Sequence, residues 1–369
     1  MFWQRELETM PRKELQALQL ERLKWTLRHA YENVRHYRDK FDAHGVDPYK
    51  FRTLSDIRYF PYTTKEDLRD NYPYELCAVP MGEIVRTHAS SGTTGKPIVG
   101  LYTKDDLSNW ADQVARLCAA AGVTREDIVQ ISFGYGLFTG ALGLHYGLER
   151  IGCNVIPVSS GNTGRQLMML KDFGATVLVA TPSYALYMSE VAREQGIVED
   201  LKLRIGLFGA EGCTVEMRER IRENFRIFPT DNYGLTELNG PGISGECECQ
   251  CGLHFAEDHF LPEIIDPDTL EVQDKSRYGE LVLTSLTKQG VPMIRYRTRD
   301  ITCIDDSVCA CGRTHARMQK VRGRSDDMFI IKGVNVFPSQ IESVLVTIGG
   351  IGAHYKLILR RKHFIDSLE

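Results

Sequence analysis

The sequence lacks the features of a membrane or secreted protein and those of a strongly basic one. No window reaches the ~18 uninterrupted apolar residues of a membrane span. Charged residues are scattered from Met1 to Trp25, where a secretion signal would need an apolar core. The formal net charge of −4 argues against nucleic acid or an anionic membrane as the main partner. We therefore expect a cytoplasmic protein without nucleic-acid or membrane partners.

Length and cysteine usage limit the remaining classes. The chain has 369 residues, of which 43% are hydrophobic and 25% charged, as in proteins that bury a large core in two or three units. Ten cysteines would suit a disulfide framework only in a short secreted chain. Free thiols and metal ligands are therefore expected here.

The middle of the chain predicts a large, multi-sheet α/β fold. Amphipathic helices are expected over 7–41. Short aliphatic strands then alternate with helical patterns, with strands at 128–133, 154–158, 176–180 and 204–208 and helices at 142–150, 165–173, 183–195 and 216–225. This alternation indicates βαβ units in mostly parallel sheets. Strands at 261–265, 279–284 and 293–297 predict a smaller, more antiparallel β-rich unit.

Residues 90–97, Ser-Ser-Gly-Thr-Thr-Gly-Lys-Pro, form a candidate phosphate-binding loop. Glycines allow a backbone whose N–H groups and hydroxyls converge on phosphate oxygens. The spacing is too short for a Walker loop, and Pro97 favours a following strand over a helix. An ordinary polar surface turn is the alternative.

Four further segments contain candidate functional residues. Residues 206–212 lie at a predicted strand end, where the small Gly209 and Ala210 would let a flat ring approach the backbone. A plain turn that leads into a helix is the alternative. In 232–237, Glu237 offers a hard oxygen ligand for Mg²⁺. The run 295–300 is either a solvated charged strand or places Asp300 to accept bonds from ribose hydroxyls. Residues 133–140 are either a wall for a flat apolar ligand or a glycine-rich turn that buries its aromatic side chains.

Two cysteine groups, Cys247-Glu-Cys-Gln-Cys-Gly-Leu-His254 and Cys309-Ala-Cys-Gly-Arg, predict a metal site. Thiolates and an imidazole suit tetrahedral Zn²⁺, although neither group has the common C-x₂-C spacing. Unbound reduced thiols and an iron–sulfur or redox role are the alternatives. A four-ligand zinc site has no open position, so its role would be structural.

The ordered motifs resemble those of the adenylate-forming enzymes, and among them the phenylacetate–coenzyme A ligases. The motifs are 90–97, Tyr-Gly-Leu-Thr-Glu at 233–237, Tyr-Arg-Thr-Arg-Asp at 296–300 and Gly-Arg-Ser-Asp-Asp at 323–327. The resemblance implies that an aryl-acetic carboxylate attacks the α-phosphate of MgATP, giving an acyl-adenylate and pyrophosphate. Coenzyme A would then take the acyl group. A non-catalytic adenine-nucleotide or acyl-adenylate binding protein is the alternative.

The resemblance also implies residue roles. Lys96, Thr94 and Glu237 would be catalytic, with Glu237 holding Mg²⁺. The nucleotide would contact Ser90, Ser91, Gly92, Thr93, Thr94, Gly95, Lys96, Gly209, Ala210, Glu211, Asn232, Tyr233, Gly234, Thr236, Glu237, Asp300 and Arg324. The acid pocket would be lined by Tyr135, Phe138, Gly140 and His145. Structural Zn²⁺ would be bound by Cys247, His254, Cys309 and Cys311, with Cys249 and Cys251 as alternates.

The same resemblance predicts domain limits. Residues 1–325 would form the N-terminal adenylation domain, with a zinc-binding subregion at 245–315. Residues 326–369 would form a hinge, with Asp326, and an incomplete small α/β C-terminal domain. The tail 360–369 is expected to depart from the family's pattern and to lack the family's C-terminal lysine and much of its coenzyme A surface. Slow adenylate formation and impaired thioester formation are therefore expected. A homodimer is implied by the resemblance alone.

Overall fold

A computed structural model describes residues 1–90 and 96–326 and, beyond these, 329–331, 334–336, 338–345, 348, 356–362 and 365–368. The helices within this part of the chain are α1 (Arg5–Glu8), α2 (Arg12–Asn33), α3 (Arg35–Ala43), α4 (Lys65–Asp70), α5 (Lys104–Ala120), α6 (Thr139–Ile151), α7 (Thr163–Asp172), α8 (Pro182–Glu194), α9 (Val215–Phe225) and α10 (Pro338–Leu345).

The strands begin with β1 (Arg86–Ala89), β2 (Val99–Tyr102), β3 (Ile128–Ile131), β4 (Asn154–Ile156), β5 (Val177–Ala180), β6 (Ile205–Gly209), β7 (Phe228–Leu235), β8 (Gly240–Glu246) and β9 (Leu253–Phe255). They continue with β10 (Phe260–Ile265), β11 (Gly279–Ser285), β12 (Tyr296–Thr302), β13 (Ile304–Asp305), β14 (Arg317–Met318), β15 (Phe329–Ile331), β16 (Val334–Val336), β17 (Leu359–Lys362) and β18 (Ile365–Leu368).

A nine-stranded sheet organises the fold, in the order β13-β14-β9-β8-β7-β6-β5-β3-β4. Strands β7, β6, β5, β3 and β4 are parallel, while β8, β9, β14 and β13 continue the sheet antiparallel. Helices α5 to α9 connect or flank the parallel strands, which confirms the predicted α/β class. Ligands of such sheets bind beyond the carboxyl ends of the parallel strands.

Smaller antiparallel sheets accompany the large one. Strands β10, β11 and β12 form a three-stranded sheet, as the predicted β-rich unit requires. Strand β1 pairs with β2, β15 with β16, and β17 with β18. The candidate phosphate loop connects β1 to β2 and so leads into a strand, as Pro97 predicted. Ser90 holds the ends of this loop together, because its Oγ accepts from the Ile98 N–H at 2.9 Å.

Capping fixes where two of the helices begin. The Thr64 hydroxyl accepts from the Asp67 N–H and starts α4, and Thr103 caps α5 through the Asp106 N–H at 3.1 Å. The Asp106 carboxylate also accepts from backbone N–H groups at 289 and 290, at 2.7 and 2.9 Å. The start of α5 is therefore fastened to the segment that follows β11.

The run 295–300 is not a solvated charged strand, because its arginines reach buried acids. Arg295 donates to Glu263 at 2.9 and 3.1 Å, and Arg297 donates to both oxygens of Glu280 at 2.9 and 2.8 Å. Charge-assisted, forked bonds of this kind are stronger than bonds between neutral groups. They fasten β12 and the segment before it to the neighbouring strands β10 and β11.

The segment 133–140 also differs from its expected form. Glycines and aromatic residues predicted an irregular stretch throughout. Helix α6 instead begins at Thr139, so Gly140 lies in the first turn of a helix. The irregular part is therefore confined to the residues before the helix start.

Lys288 is a buried cation beneath the β1–β2 hairpin. Its Nζ lies 3.3 Å from the centre of the Tyr102 ring and donates to Asn239 Oδ1 at 2.8 Å. Burial lowers the pKa of Lys288 to about 7. An unfolded lysine keeps its proton up to about pH 10.4. The folded state therefore binds fewer protons than the unfolded state between these values, and stability rises with pH across this window.

Replacing Lys288 with methionine is expected to remove that rise. Methionine keeps most of the buried volume without the cost of desolvating a charge. Loss of the cation–π contact offsets part of the gain. Melting temperatures near pH 7 and pH 9.5 should converge in Lys288→Met but not in the control Lys13→Met, whose lysine is exposed. An unchanged pH dependence in Lys288→Met would contradict the assignment.

In the part of the chain that the structure describes, every helix is too short or too polar to cross a membrane.

Candidate active site

The centre of the candidate site is a buried carboxylate, that of Asp300 on β12. Its Oδ2 accepts from the Tyr233 hydroxyl at 2.6 Å, and its Oδ1 accepts from Arg324 Nη1 at 3.2 Å. The Arg324 guanidinium also forms a forked pair with Asp326, at 3.0 and 3.1 Å. Three residues from three predicted motifs, Tyr233, Asp300 and Arg324, thus meet at one point.

Burial sets the protonation of this centre. Asp300 is 5% exposed. Desolvation raises its pKa to about 6, although the hydrogen bond from Tyr233 and the charge of Arg324 favour the carboxylate. Burial also raises the pKa of Tyr233 well above its ordinary value, and the Asp300 carboxylate adds to this shift. Tyr233 is therefore a neutral hydrogen-bond donor to Asp300 near neutral pH.

The end of β6 lies beside the strand that carries Tyr233. Gly209 is paired in register with Asn232 of β7, and a Cβ at Gly209 would lie 2.6 Å from the Asn232 carbonyl oxygen. Ala210 has a φ of 72°, a conformation unusual for a residue with a side chain. The Glu211 carboxylate accepts from the Ser183 N–H at 2.6 Å, in the first turn of α8.

Glu237 follows β7 in the turn to β8. The Glu237 carboxylate lies near the Tyr296 hydroxyl, at the start of β12, because its charge contributes to the raised pKa of Tyr296. Burial raises the pKa of Tyr296 well above its ordinary value, so this hydroxyl keeps its proton. The carboxylate that the family resemblance assigns to Mg²⁺ therefore lies beside a neutral hydroxyl from the neighbouring sheet.

The β7–β8 hairpin is tightly packed, and its turn touches two other parts of the fold. Gly234 packs so closely that a Cβ there would overlap the Gly240 carbonyl oxygen of β8. Thr236 Oγ1 lies 3.3 Å from Thr139 Oγ1 at the start of α6. A Cβ at Gly100 of β2 would lie 3.4 Å from the Thr236 carbonyl oxygen. The strand that follows the phosphate loop therefore runs directly past this turn.

Two ends of the candidate phosphate loop lie within the described residues. Ser90 joins the loop to Ile98, and the exposed Lys96 places its Nζ 5.5 Å from the centre of the Tyr72 ring. The predicted contacts at Ser91, Gly92, Thr93, Thr94 and Gly95 lie outside the described residues.

The predicted acid-pocket residues divide into two groups. The Tyr135 hydroxyl lies 3.0 Å from His145 Nδ1, and His145 Nε2 lies 3.0 Å from Glu149 Oε1. Phe138 is 49% exposed and precedes α6, whose first turn contains Gly140. The structure thus joins Tyr135 to His145 and sets Phe138 and Gly140 at the helix start.

Sequence reasoning missed the residues that connect these motifs. The Leu137 carbonyl accepts from the Ala89 N–H and from His88 Nδ1, each at 3.0 Å. Strand β1, which leads into the phosphate loop, is thereby tied to the acid-pocket segment. Thr139 and Tyr296 complete the connections to the β7–β8 turn. Of these residues, Tyr296 alone had a sequence signal, because it opens the 296–300 motif.

The cysteine cluster lies at β9, the end of β8 and the loop between β13 and β14. The potential ligand atoms of Cys247, His254, Cys309 and Cys311 all lie within 4.8 Å of one another. Cys247 Sγ is 3.8 Å from Cys309 Sγ, and Cys311 Sγ is 3.6 Å from His254 Nε2. For tetrahedral Zn²⁺, the usual bond lengths give edges of about 3.8 Å between sulfurs and about 3.6 Å between sulfur and nitrogen.

The surroundings of His254 also suit a metal. His254 Nδ1 lies 3.2 Å from the His315 carbonyl oxygen, to which its N–H donates. That bond leaves the Nε2 lone pair facing Cys311, as metal-binding histidines require. The chemistry of the donor set therefore suits zinc.

A buried polar centre beyond the ends of parallel strands is typical of a ligand-binding α/β protein. A family model described as AMP-binding enzyme matches residues 64–287, and one described as AMP-binding enzyme C-terminal domain matches 333–369. The chain belongs to the AMP-binding enzyme family. The second match continues to residue 369, so the expectation that 360–369 departs from the family's pattern is wrong.

Its relatives are coenzyme A ligases. The chain is 51% identical to the phenylacetate-coenzyme A ligase of Escherichia coli (strain K12), over 98% of this chain and 83% of that protein. It is 49% identical to the enzyme of the same name from Thermus thermophilus, over 100% of this chain and 83% of that protein. The predicted class, an AMP-forming acid–thiol ligase of the adenylate-forming superfamily, is confirmed.

A solved relative has the same fold. The structure of a 2-hydroxyisobutyryl-CoA ligase in the postadenylation state, in complex with R3-HIB-AMP, superimposes with a TM-score of 0.92 at 28% identity. The match covers 100% of this chain and 80% of that chain. The same ligase in its thioesterification state gives a TM-score of 0.85.

Proposed function

We propose that this chain activates phenylacetate or a closely related aryl-acetic acid with ATP and transfers the acyl group to coenzyme A. The family forms an acyl-AMP and then a coenzyme A thioester. The observation that carries the proposal is the buried Asp300 carboxylate, which Tyr233 and Arg324 hold at the end of the parallel sheet. This centre lies in a chain about 50% identical to phenylacetate ligases.

Asp300 would accept hydrogen bonds from the ribose hydroxyls, with Arg324 fixing its orientation. Gly209, Ala210 and Tyr233 would flank the adenine. The close packing of β7 leaves no room for a side chain at position 209. The adenine ring would therefore meet bare backbone at Gly209. The Tyr233 ring would lie close to both the base and the ribose, because its hydroxyl contacts Asp300.

Glu237 fits a Mg²⁺ ligand. It is a carboxylate, the hard oxygen donor that Mg²⁺ prefers, and it lies beside the Tyr296 hydroxyl. Bound Mg²⁺ would neutralise charge on the phosphates. The passage of β2 beside the same turn would bring the phosphate loop within reach of this carboxylate.

The acid would lie between the segment before α6 and the β7–β8 turn. Tyr135 and His145 support one another by their hydrogen bond, and the Thr139–Thr236 contact brings this segment next to the proposed Mg²⁺ ligand. The loop residues 91–96 would surround the phosphates. The carboxylate of the acid would then face the α-phosphate that it attacks.

A pyrophosphate-release assay tests the function. Phenylacetate, heteroaryl acids and short aliphatic acids are compared with and without coenzyme A. We expect release with ATP and phenylacetate, and a thioester product when coenzyme A is present. Nucleotide that raises the melting temperature by ligand linkage without turnover of any acid would indicate a non-catalytic binding protein instead.

Nucleotide affinity is expected to fall at acid pH. The carboxylate form of Asp300 accepts the proposed ribose bonds, and its raised pKa of about 6 means that it becomes protonated over a range where most carboxylates stay charged. The affinity for AMP should therefore fall as the pH drops below 6, by up to about tenfold per pH unit. Calorimetric titration between about pH 5 and 8 measures this, and a flat profile would contradict it.

We also propose a structural zinc bound by Cys247, His254, Cys309 and Cys311. Its support is the agreement between the observed S–S and S–N separations and the edges of a zinc tetrahedron. Elemental analysis of protein purified without added metal should give about one zinc per chain. Less than about half an equivalent would contradict the assignment.

Three broader features stay predictions. The adenylation domain is proposed to span 1–325, including the zinc subregion 245–315, with the hinge and C-terminal domain at 326–369. The interval between the two family matches, from 288 to 332, includes this boundary. The homodimer rests on the family resemblance, and the cytoplasmic location rests on composition.

A further inference from the structure

A fifth cysteine, Cys251, lies against the proposed zinc site without fitting its geometry. Its Sγ is 3.3 Å from Cys309 Sγ. This is shorter than the edge of about 3.8 Å between two thiolates on one tetrahedral zinc. Cys251 also falls outside the four residues whose ligand atoms cluster, and it is exposed, whereas Cys309 is buried.

Arg317 holds Cys251 in this position. Its Nη1 donates to Cys251 Sγ at 2.7 Å, while Nη2 pairs with Asp305 at 2.6 Å. Reactive cysteines are exposed and lie in electropositive surroundings, and oxidation sensors often have a second cysteine within reach. Cys249 is exposed in the same segment, and it therefore offers a matched comparison.

We propose that Cys251 is an oxidation site whose disulfide with Cys309 releases the zinc. The oxidant is a hydroperoxide, with hydrogen peroxide as the simplest case. The Cys251 sulfur attacks one peroxide oxygen, which breaks the O–O bond and gives a sulfenic acid and one water. The Cys309 thiolate then leaves the zinc and attacks the sulfenic sulfur, which forms the S–S bond and expels hydroxide; a proton from solvent converts this hydroxide to the second water. The two sulfurs lose two electrons, and the peroxide is reduced to the level of water.

Zinc release follows because Cys309 can no longer be a thiolate ligand. Three ligands remain, and metal affinity depends on the complete set of deprotonated donors. The inference rests on the proposed zinc site, but the formation of the disulfide can be measured independently of the metal.

The experiment uses the purified full chain with its bound metal. Hydrogen peroxide is added, zinc release is followed with a chromogenic chelator, and disulfides are mapped by peptide mass spectrometry. We expect a 251–309 disulfide and zinc release in the wild type and in Cys249→Ser. In Cys251→Ser, release should be at least ~10-fold slower.

The outcomes separate the two proposals. Protein isolated without zinc would contradict the proposed zinc site. Mapping the disulfides after peroxide treatment would still test whether Cys251 and Cys309 form a bond. Zinc release at the wild-type rate in Cys251→Ser, or oxidised protein without the 251–309 disulfide, would overturn the oxidation site. Cys251→Ser that is folded but zinc-free as purified would also overturn it, because Cys251 would then be a ligand.

Discussion

Replacing Asp300 with alanine is expected to lower kcat/KM for ATP by ~10²–10⁴-fold. Each hydrogen bond to a charged group contributes about 1.5–3 kcal/mol, and the proposed ribose contact uses two of them. The loss also leaves the Tyr233 hydroxyl and Arg324 without the acceptor that positions them. Pyrophosphate release at varied ATP concentration measures the change.

Two further variants make the Asp300 result specific. Tyr233→Phe removes one hydrogen bond to Asp300 and keeps the ring, so a smaller loss of about tenfold is expected. Asp200→Asn is the matched control, because Asp200 is an exposed carboxylate paired with Lys171 on the surface. A folded Asp300→Ala protein with wild-type kcat/KM would remove Asp300 from the nucleotide site.

Replacing Cys309 with serine is expected to abolish zinc binding and to lower the melting temperature by on the order of 5–10 °C. Cys309 is buried, and its Sγ lies 3.8 Å from that of Cys247. Metal binding by a site that the unfolded chain lacks contributes directly to the free energy of folding. Elemental analysis and thermal unfolding give the two measurements.

Cys249→Ser is the control for this prediction. Cys249 lies in the same cysteine-rich segment and is exposed, so zinc content and melting temperature should stay at the wild-type values. A Cys309→Ser protein that retains one zinc per chain would show that another set of ligands holds the metal. An unchanged melting temperature despite zinc loss would remove its structural role.

Much of the fold could be predicted because its signals are local. Aliphatic strands alternating with amphipathic helices predicted the parallel strands β3 to β6, and Pro97 predicted that the phosphate loop leads into a strand. The cluster of four potential zinc ligands followed from residue chemistry together with the family resemblance. The sequence spacing did not show whether Cys249 and Cys251 belong to the ligand set. Only the Sγ positions in the structure distinguish a ligand from a neighbouring cysteine.

The remaining features depend on contacts between distant segments. The pattern of 295–300 looks the same whether its arginines face solvent or a buried acid, because Glu263 and Glu280 lie on other strands. Likewise, no local pattern indicates that His88 reaches the Leu137 carbonyl. Glycines at 134, 136 and 140 suggested an irregular segment, yet tertiary packing starts α6 at Thr139.

The shared carbonyl of Leu137 has a consequence for attempts to redesign acid selectivity. Because His88 and Ala89 both donate to this one oxygen, the segment before α6 and the strand leading into the phosphate loop are fastened at the same atom. An engineered change that shifts the backbone at 137 would displace both together, and the enzyme would lose rate with every acid instead of exchanging one acid for another. Tyr135 and His145 contact each other through their side chains, so substitutions there leave this anchor intact and are the better starting library.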